Sequence, residues 1–238
     1  YQTGKSNDYI WDLPSLVHAS KDSVVVVSIN YRLNIFGFLG GAAVQARSGG
    51  HGAGNFGIQD QRAALAWTKA HVAAFGGDGD DITIFGESAG GNAVINHLAQ
   101  PASFPLYKKA IIESGAYDLG AETMAAAEAS YQKLLTEARC RDLPCLVAKD
   151  ATTLVRFTGT PPGNLLCPGP VVDGVSLTDT PAALIAAKRF NKKAPVIVGS
   201  NRDEAALFST MERVPANLTE EEFGSRMSAY DAIFSPQP

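Results

Sequence analysis

Charge excess, long apolar runs and cysteine are all scarce in this sequence of 238 residues. With 20 Lys and Arg against 24 Asp and Glu, the formal net charge is -4, and there is no basic excess to follow a phosphate backbone. No nucleic-acid partner is therefore expected. No stretch reaches the roughly 18 consecutive apolar residues that a membrane-crossing helix needs, so no integral membrane segment is expected either. Three cysteines do not define a disulfide framework. Cys140 and Cys145 lie close enough in sequence for a small-loop disulfide, which would leave Cys167 unpaired. The opening residues, YQTGKSND, read as mid-domain loop, so the lack of a leader pattern there says little about secretion.

What is present is the composition of a globular chain, 45% hydrophobic and 18% charged. The length suits one large α/β domain or two small ones. The β-branched run in SVVVVSIN, residues 23–30, has strand length and reads as a buried parallel strand. Residues 58–75 carry Ala63, Leu65, Ala66, Ala70, Ala73 and Ala74 at helical spacing, and Gly76-Gly77 is a sound helix stop. A strand at 82–85 then meets a helix over 91–100, and AIIES (110–114) reads as another short buried strand. Further on, an amphipathic helix is expected over 122–139, an irregular connection over 161–170 and partial helix within 177–189. A strand, loop and helix come next over 194–208, and a polar helix over 220–233. Strands alternate with helices without repeats, which predicts one doubly wound α/β domain with a mainly parallel sheet across 1–238.

Two local patterns suggest other chemistry. Gly52-Ala53-Gly54-Asn55-Phe56-Gly57 matches GxGxxG, but a dinucleotide site requires those glycines to follow a strand directly, and the nearest strong strand ends well upstream. A mobile surface loop is the expectation there. Asp78, Asp80 and Asp81 lack the spacing of a calcium loop and are expected to form a turn into the next strand.

The chain is organised around ITIFGESAGG, residues 82–91. Gly86, Ser88 and Gly90 form a GxSxG pattern where an apolar run ends and a helix-forming run begins. A serine at the tip of such a turn takes a strained backbone, and flanking glycines allow strand and helix to approach closely. The turn presents the hydroxyl and sets the next backbone N–H, that of Ala89, beside any carbonyl the serine attacks. Ser88 is thus the candidate nucleophile and Ala89 a candidate oxyanion donor.

Serine needs a base, and the base needs a carboxylate to hold its tautomer. Glu204, in a loop just past the strand PVIVG, fits the acid. Asp203 is its neighbouring alternative and Asp173 a distant one, while a helix N-terminal acidic pair would explain Asp203 and Glu204 without catalysis. Of four histidines, His18, His51 and His71 precede the serine. His97 lies too far along the following helix for a direct bond and reads as a structural histidine. None lies beyond Glu204.

Together these residues resemble the type B carboxylesterases, the cholinesterase and fungal lipase family of α/β-hydrolases. The likeness runs through VVVVSINYRLNIFGFL, GNFGIQDQRAALAW, FGGDGDDITIFGESAGG, PVVDGVSLTDTPAAL and VIVGSNRDEAALF. It implies an α/β-hydrolase fold with Ser88 as nucleophile and Glu204 as acid, in Asp203-Glu204-Ala205 where the family usually has DEG. The reaction implied is hydrolysis of a small-molecule or lipid ester, with no metal or organic cofactor. The family's other oxyanion donors come from an HGGG-type turn, and Tyr1-Gln2-Thr3-Gly4 resembles the residues directly after that turn. The family's histidine lies well beyond the DEG motif. The expectation is an internal piece of a longer esterase, cut at both ends and inactive alone. Cys140 and Cys145 resemble a disulfide pair of fungal members, and Arg32 and Asp60 resemble a structural ion pair. The sequon Asn217-Leu218-Thr219 adds support for a secreted protein. An alternative is a non-catalytic adhesion member of the same fold, although such members tend to lose the serine that stands here at Ser88.

Overall fold

A computed structural model describes residues 1, 3–7, 13–115, 121–157, 169–204, 218–222 and 224–225. Cys167, Asn217 and most of the helix expected over 220–233 lie outside the described residues. In chain order the elements begin with α1 (Leu13–Ala19), α2 (Asn34–Phe38), α3 (Ala42–Arg47), α4 (Phe56–His71), β1 (Thr83–Glu87), α5 (Ala89–Ala99) and β2 (Lys109–Glu113). They continue with β3 (Glu122–Thr123), α6 (Met124–Glu137), α7 (Leu143–Val147), α8 (Ala151–Val155), β4 (Val171–Val172), α9 (Pro181–Ala186) and β5 (Val196–Gly199). All of these belong to one compact unit, Tyr1–Gly199; a second unit is Ser200–Pro238.

The principal sheet is parallel, in the order β1-β2-β5. Its register explains which side chains are covered. Ile84 and Ala110 share one row with Val196, and Ile84, Ala110 and Ile112 are buried among Val94, Ile95 and Leu98 of α5. The next row, Phe85, Ile111 and Ile197, points to the opposite face, where Phe85 is 47% exposed and Ile197 66%. Among the described residues, α5 therefore covers one face, and it does so as a helix buried from Gly91 to Ala99. A second core joins α2 and α3 to α6, α7 and α8 through Ile35, Val44, Leu134, Leu143 and Leu154. The Cys140 and Cys145 sulfurs are bonded beside this core, bridging the end of α6 to α7. Thr123, Asp142, Asp150 and Thr180 cap α6, α7, α8 and α9 by accepting from a backbone N–H.

Two local expectations change. Residues 23–30 form no strand and join no ladder among the described residues, and Val24, Val25 and Val27 are each more than 40% exposed. A β-branched run favours extended backbone, but pairing and burial depend on a partner on each side. The helix expected over 58–75 forms as α4 with a 3-10 turn after it, and its buried face is carried by Gly57, Ile58, Gln61 and Thr68 rather than by Ala63, Ala66 and Ala70. Small side chains at helical spacing are a weak guide to the buried face, because alanine is tolerated on either.

The second change concerns residues 52–55, which are buried and pinned rather than a mobile surface loop. Asn55 stands in for a strand: its Nδ2 donates to the Val171 carbonyl at 2.7 Å and its Oδ1 accepts from the Val171 N–H at 2.9 Å. Asp173, 6% exposed, accepts from the N–H groups of Ala53, Val175, Ser176 and Leu177 and from the Ser176 hydroxyl. Gly52 has φ +85, and a Cβ there would meet Asp173 Oδ2 at 2.0 Å, which is why glycine occupies it. The glycines serve tight packing of this segment against the residues after β4. The helix stop at Gly76 is formed in the left-handed conformation, φ 83. Asp78 accepts from the Asp80 N–H in the expected turn, while Asp80 and Asp81 pair with Lys69 and Lys109.

A polar network runs through the buried α5. Tyr1 Oη donates to Asn92 Oδ1 at 2.6 Å, and Asn96 Nδ2 donates to the same oxygen. His97 is enclosed, with Nδ1 2.9 Å from Ser103 Oγ and Nε2 3.0 Å from Gln61 Oε1. Burial, with the nearby Arg62 charge adding to it, holds the His97 pKa down to about 3.

Two measurements check this packing. Asn55→Ala leaves the buried N–H and C=O of Val171 unpaired and is expected to lower unfolding free energy by about 2 to 4 kcal/mol in urea titration. An unchanged midpoint would remove Asn55 from its stated role. His97 is neutral when folded, so between its folded value of about 3 and the ordinary 6.5 the unfolded chain binds the extra proton. Stability is thus complete above that window and falls as the pH drops through it, by about 1.4 kcal/mol per unit from this group. His97→Gln is expected to flatten the pH dependence between about pH 6 and 4, as read from urea midpoints at several pH values.

Candidate active site

Ser88 is placed by the end of β1 and the start of α5. Its φ of 55 and ψ of -117 lie where a residue bearing a side chain is strained, by roughly 1–3 kcal/mol. The surroundings hold it there. Its N–H donates to the Glu113 carbonyl at 2.8 Å, extending the β1–β2 ladder by one rung, and its own carbonyl accepts from the Asn92 N–H at 2.9 Å as the first helical bond. The two flanking glycines act differently. A Cβ on Gly86 would lie 2.5 Å from the carbonyl carbon of Gly90, so Gly86 must lack a side chain for strand and helix to meet. Gly90 has open space at the same position and contributes the backbone that Gly86 meets. Gly91 also needs its hydrogen, because a Cβ there would sit 2.8 Å from the Glu113 carbonyl oxygen.

The result is an exposed serine at the N-terminal end of a buried helix. The N–H groups of Ala89 and Gly90 belong to the first turn and have no acceptor within the helix. They point a partial positive charge toward the space beside Ser88, where an oxyanion would be stabilised. No group of His, Cys, Asp and Glu able to hold a metal ion occurs among the described residues.

Glu204 is exposed in the second unit, where its Oε1 accepts from the Asn201 N–H at 2.7 Å. Its neighbour Asp203 accepts from Arg202 at 3.1 Å. Asp173, the distant alternative acid, has both carboxylate oxygens occupied by the segment it holds. None of the histidines has a hydrogen bond to Ser88 among the described residues: His18 and His51 are exposed on other segments, His71 lies 4.9 Å from the Trp67 ring, and His97 serves Gln61 and Ser103. Arg32 and Asp60 form a bidentate pair, Nε to Oδ2 at 2.8 Å and Nη2 to Oδ1 at 2.7 Å, with the Arg32 N–H also donating to Oδ2. Partial burial pushes Asp60 up, but the hydrogen bonds from Arg32 outweigh it and hold the carboxyl below its ordinary value. Sequence reasoning missed the polar layer under the elbow, Gln61, Asn92, Asn96 and Ser103; polar residues inside a helical pattern carry no local mark of burial.

The sequence matches the model of the carboxylesterase family over residues 1–234. It is 38% identical over 221 residues to the cholinesterase of Mus musculus, covering 87% of this chain and 35% of that protein. It is 34% identical over 216 residues to the para-nitrobenzyl esterase of Bacillus subtilis (strain 168), covering 88% of this chain and 43% of that protein. Among solved structures, a carboxylesterase of Geobacillus stearothermophilus superposes with a TM-score of 0.84 at 34% identity, covering 99% of this chain and 48% of that one. The chain thus spans less than half the length of these relatives. The parallel sheet, the strained serine between strand and helix and the match over nearly the whole sequence agree: the chain belongs to the carboxylesterase family.

Proposed function

We propose that the protein hydrolyses carboxylic esters through an acyl-enzyme on Ser88, with Glu204 as the acid that orients a histidine. The observation that supports this most directly is the backbone of Ser88, strained at φ 55 and held there by Glu113 and Asn92 while the residue stays exposed. In the reaction the histidine takes the Ser88 proton as Oγ attacks the ester carbonyl. The Ala89 N–H stabilises the oxyanion, the alcohol leaves with the proton, and water then repeats the sequence to release the acid. The four histidines of this sequence lie on other segments or are engaged elsewhere, so the base is proposed to come from residues outside these 238, as are further oxyanion donors. On that reading residues 1–238 act as part of one hydrolase domain, in keeping with a family match that runs over both units. The disulfide between Cys140 and Cys145 favours an oxidising compartment, and with it a secreted protein acting on small-molecule or lipid esters.

Hydrolysis of p-nitrophenyl acetate tests the assignment. In the chain extended to the length of its relatives, Ser88→Ala is expected to lower kcat by about 10⁴ or more, and Glu204→Gln by about 10³ to 10⁴. Full activity in Ser88→Ala would refute the nucleophile. The 238 residues alone are expected to hydrolyse the ester no faster than their own Ser88→Ala variant. Gly86→Ala, which drives a methyl group into Gly90, is expected to cost at least about tenfold in kcat or to abolish soluble folding; a wild-type rate from well-folded protein would show that the close approach is not needed.

A further inference from the structure

A cleft of about 750 Å³ lies at the opposite end of α5 from Ser88, which does not line it. Its walls come from α4, the end of α5, the 3-10 turn Pro101–Leu106, the loop before α9, and α9 with the residues after it. The size is that of a small-molecule site. Among the described residues its lining includes Arg62 and Arg189 and no Asp or Glu.

Arg62 is the informative side chain. It is half-buried, yet its hydrogen bonds go to neutral partners, Nε to Ser103 Oγ at 3.2 Å and Nη2 to Gln100 Oε1. No carboxylate pairs with it among the described residues. Asp173 acts on it through its field, but the Asp173 oxygens are occupied by the N–H groups and hydroxyl that hold residues 52–55. Burial pulls the Arg62 guanidinium below its ordinary value, the direction expected for a cation lacking a close counter-ion. Gln100, 1% exposed and bonded to this arginine through Oε1, has its Nε2 without a partner among the described residues. A guanidinium offers five N–H donors in one plane, and two of them are engaged by described residues. A second cation, Arg189, is exposed at the rim and donates to Thr178 Oγ1 at 3.4 Å. The lining also includes the apolar side chains of Phe104, Phe190, Leu184 and Pro101.

We propose that this cleft is a binding site, separate from Ser88, for a carboxylate carried on a compact apolar body. Arg62 and Arg189 take the anion, and Phe104, Phe190 and Leu184 cover the apolar part. A planar carboxylate matches the fork of a guanidinium, and displacing water from the aromatic wall supplies affinity that a bare inorganic anion cannot gain. The site does not depend on the hydrolase reading, although an ester hydrolase would release anions of this class.

Calorimetric titration of the chain with 4-phenylbutyrate, 4-phenylbutan-1-ol and inorganic phosphate tests the proposal. The carboxylate is expected to bind once per chain, with the alcohol and phosphate at least about tenfold weaker. Arg189→Gln, at an exposed position that should leave folding intact, is expected to weaken 4-phenylbutyrate about tenfold, and Arg62→Gln at least as much where it folds. Ser88→Ala should leave the affinity unchanged. Absence of binding, equal binding of the alcohol, or undiminished affinity in Arg189→Gln would each overturn the proposal; so would loss of binding in Ser88→Ala, which would put the anion at the elbow instead.

Discussion

The contact between Gly86 and Gly90 sets the geometry of everything around it. With a Cβ on Gly86 only 2.5 Å from the next backbone, β1 and α5 could not turn so sharply, and Ser88 would not sit at φ 55. Strain of roughly 1–3 kcal/mol at a single residue persists only when neighbouring structure over-determines it. Here the Ser88 N–H is tied to the Glu113 carbonyl, and Gly91 leaves room for that same carbonyl. The sheet and the helix therefore fix the serine from both sides. Its orientation is a property of the fold rather than of a loop.

A second constraint lies beneath. An apolar helix would satisfy the sheet equally well, yet α5 carries Asn92, Asn96 and His97 in positions that are buried. Each must find partners or lose about 1–3 kcal/mol, so Tyr1, Gln61 and Ser103 are drawn in from three other segments. Apolar packing tolerates small slips, whereas hydrogen bonds between fixed partners do not. The network accordingly locates α4, α5 and the turn after α5 against one another more sharply than packing alone. The Asn55 bridge to Val171 does the same for the segment before α4.

This difference also decides what could be read from the sequence. The elbow was legible because its mechanism demands glycine, serine and glycine at fixed spacing between a strand and a helix. The strands around Ile84 and Ile112, and the helix ending at Gly76, came from periodicity and from a stop residue. The burial of residues 52–55 was not legible, since a Gly-rich segment reads alike whether its glycines provide mobility or close packing; only Asp173, more than a hundred residues away, distinguishes the two. The alanine spacing of α4 marked the helix without marking its buried side, because alanine is tolerated on either face. Exposure of Val24, Val25 and Val27 depends on neighbours in space, which a local run of valines does not encode. The roles proposed for Ser88 and Glu204 rest on motif and family likeness, and Glu204 stands in the second unit.

The two ends of α5 carry opposite electrostatic characters. At the N-terminal end, N–H groups without helical acceptors face Ser88 with a partial positive charge of about half an electron. At the C-terminal end the helix presents the matching partial negative charge, and there Gln100 holds Arg62. Half a charge, spread over the last carbonyls, offsets only part of a full guanidinium charge, and Asp173 is committed to the Ala53 to Leu177 segment. With Arg189 added, the cleft keeps a net positive charge in a setting drier than bulk water, where an anion gains more than it would at the surface. One helix thus borders both places where the proposals put negative charge. The first suits charge that develops transiently on a reacting oxygen, because its donors are backbone groups fixed by the elbow. The second suits charge that a ligand carries permanently, because its donors are side chains held by neutral partners.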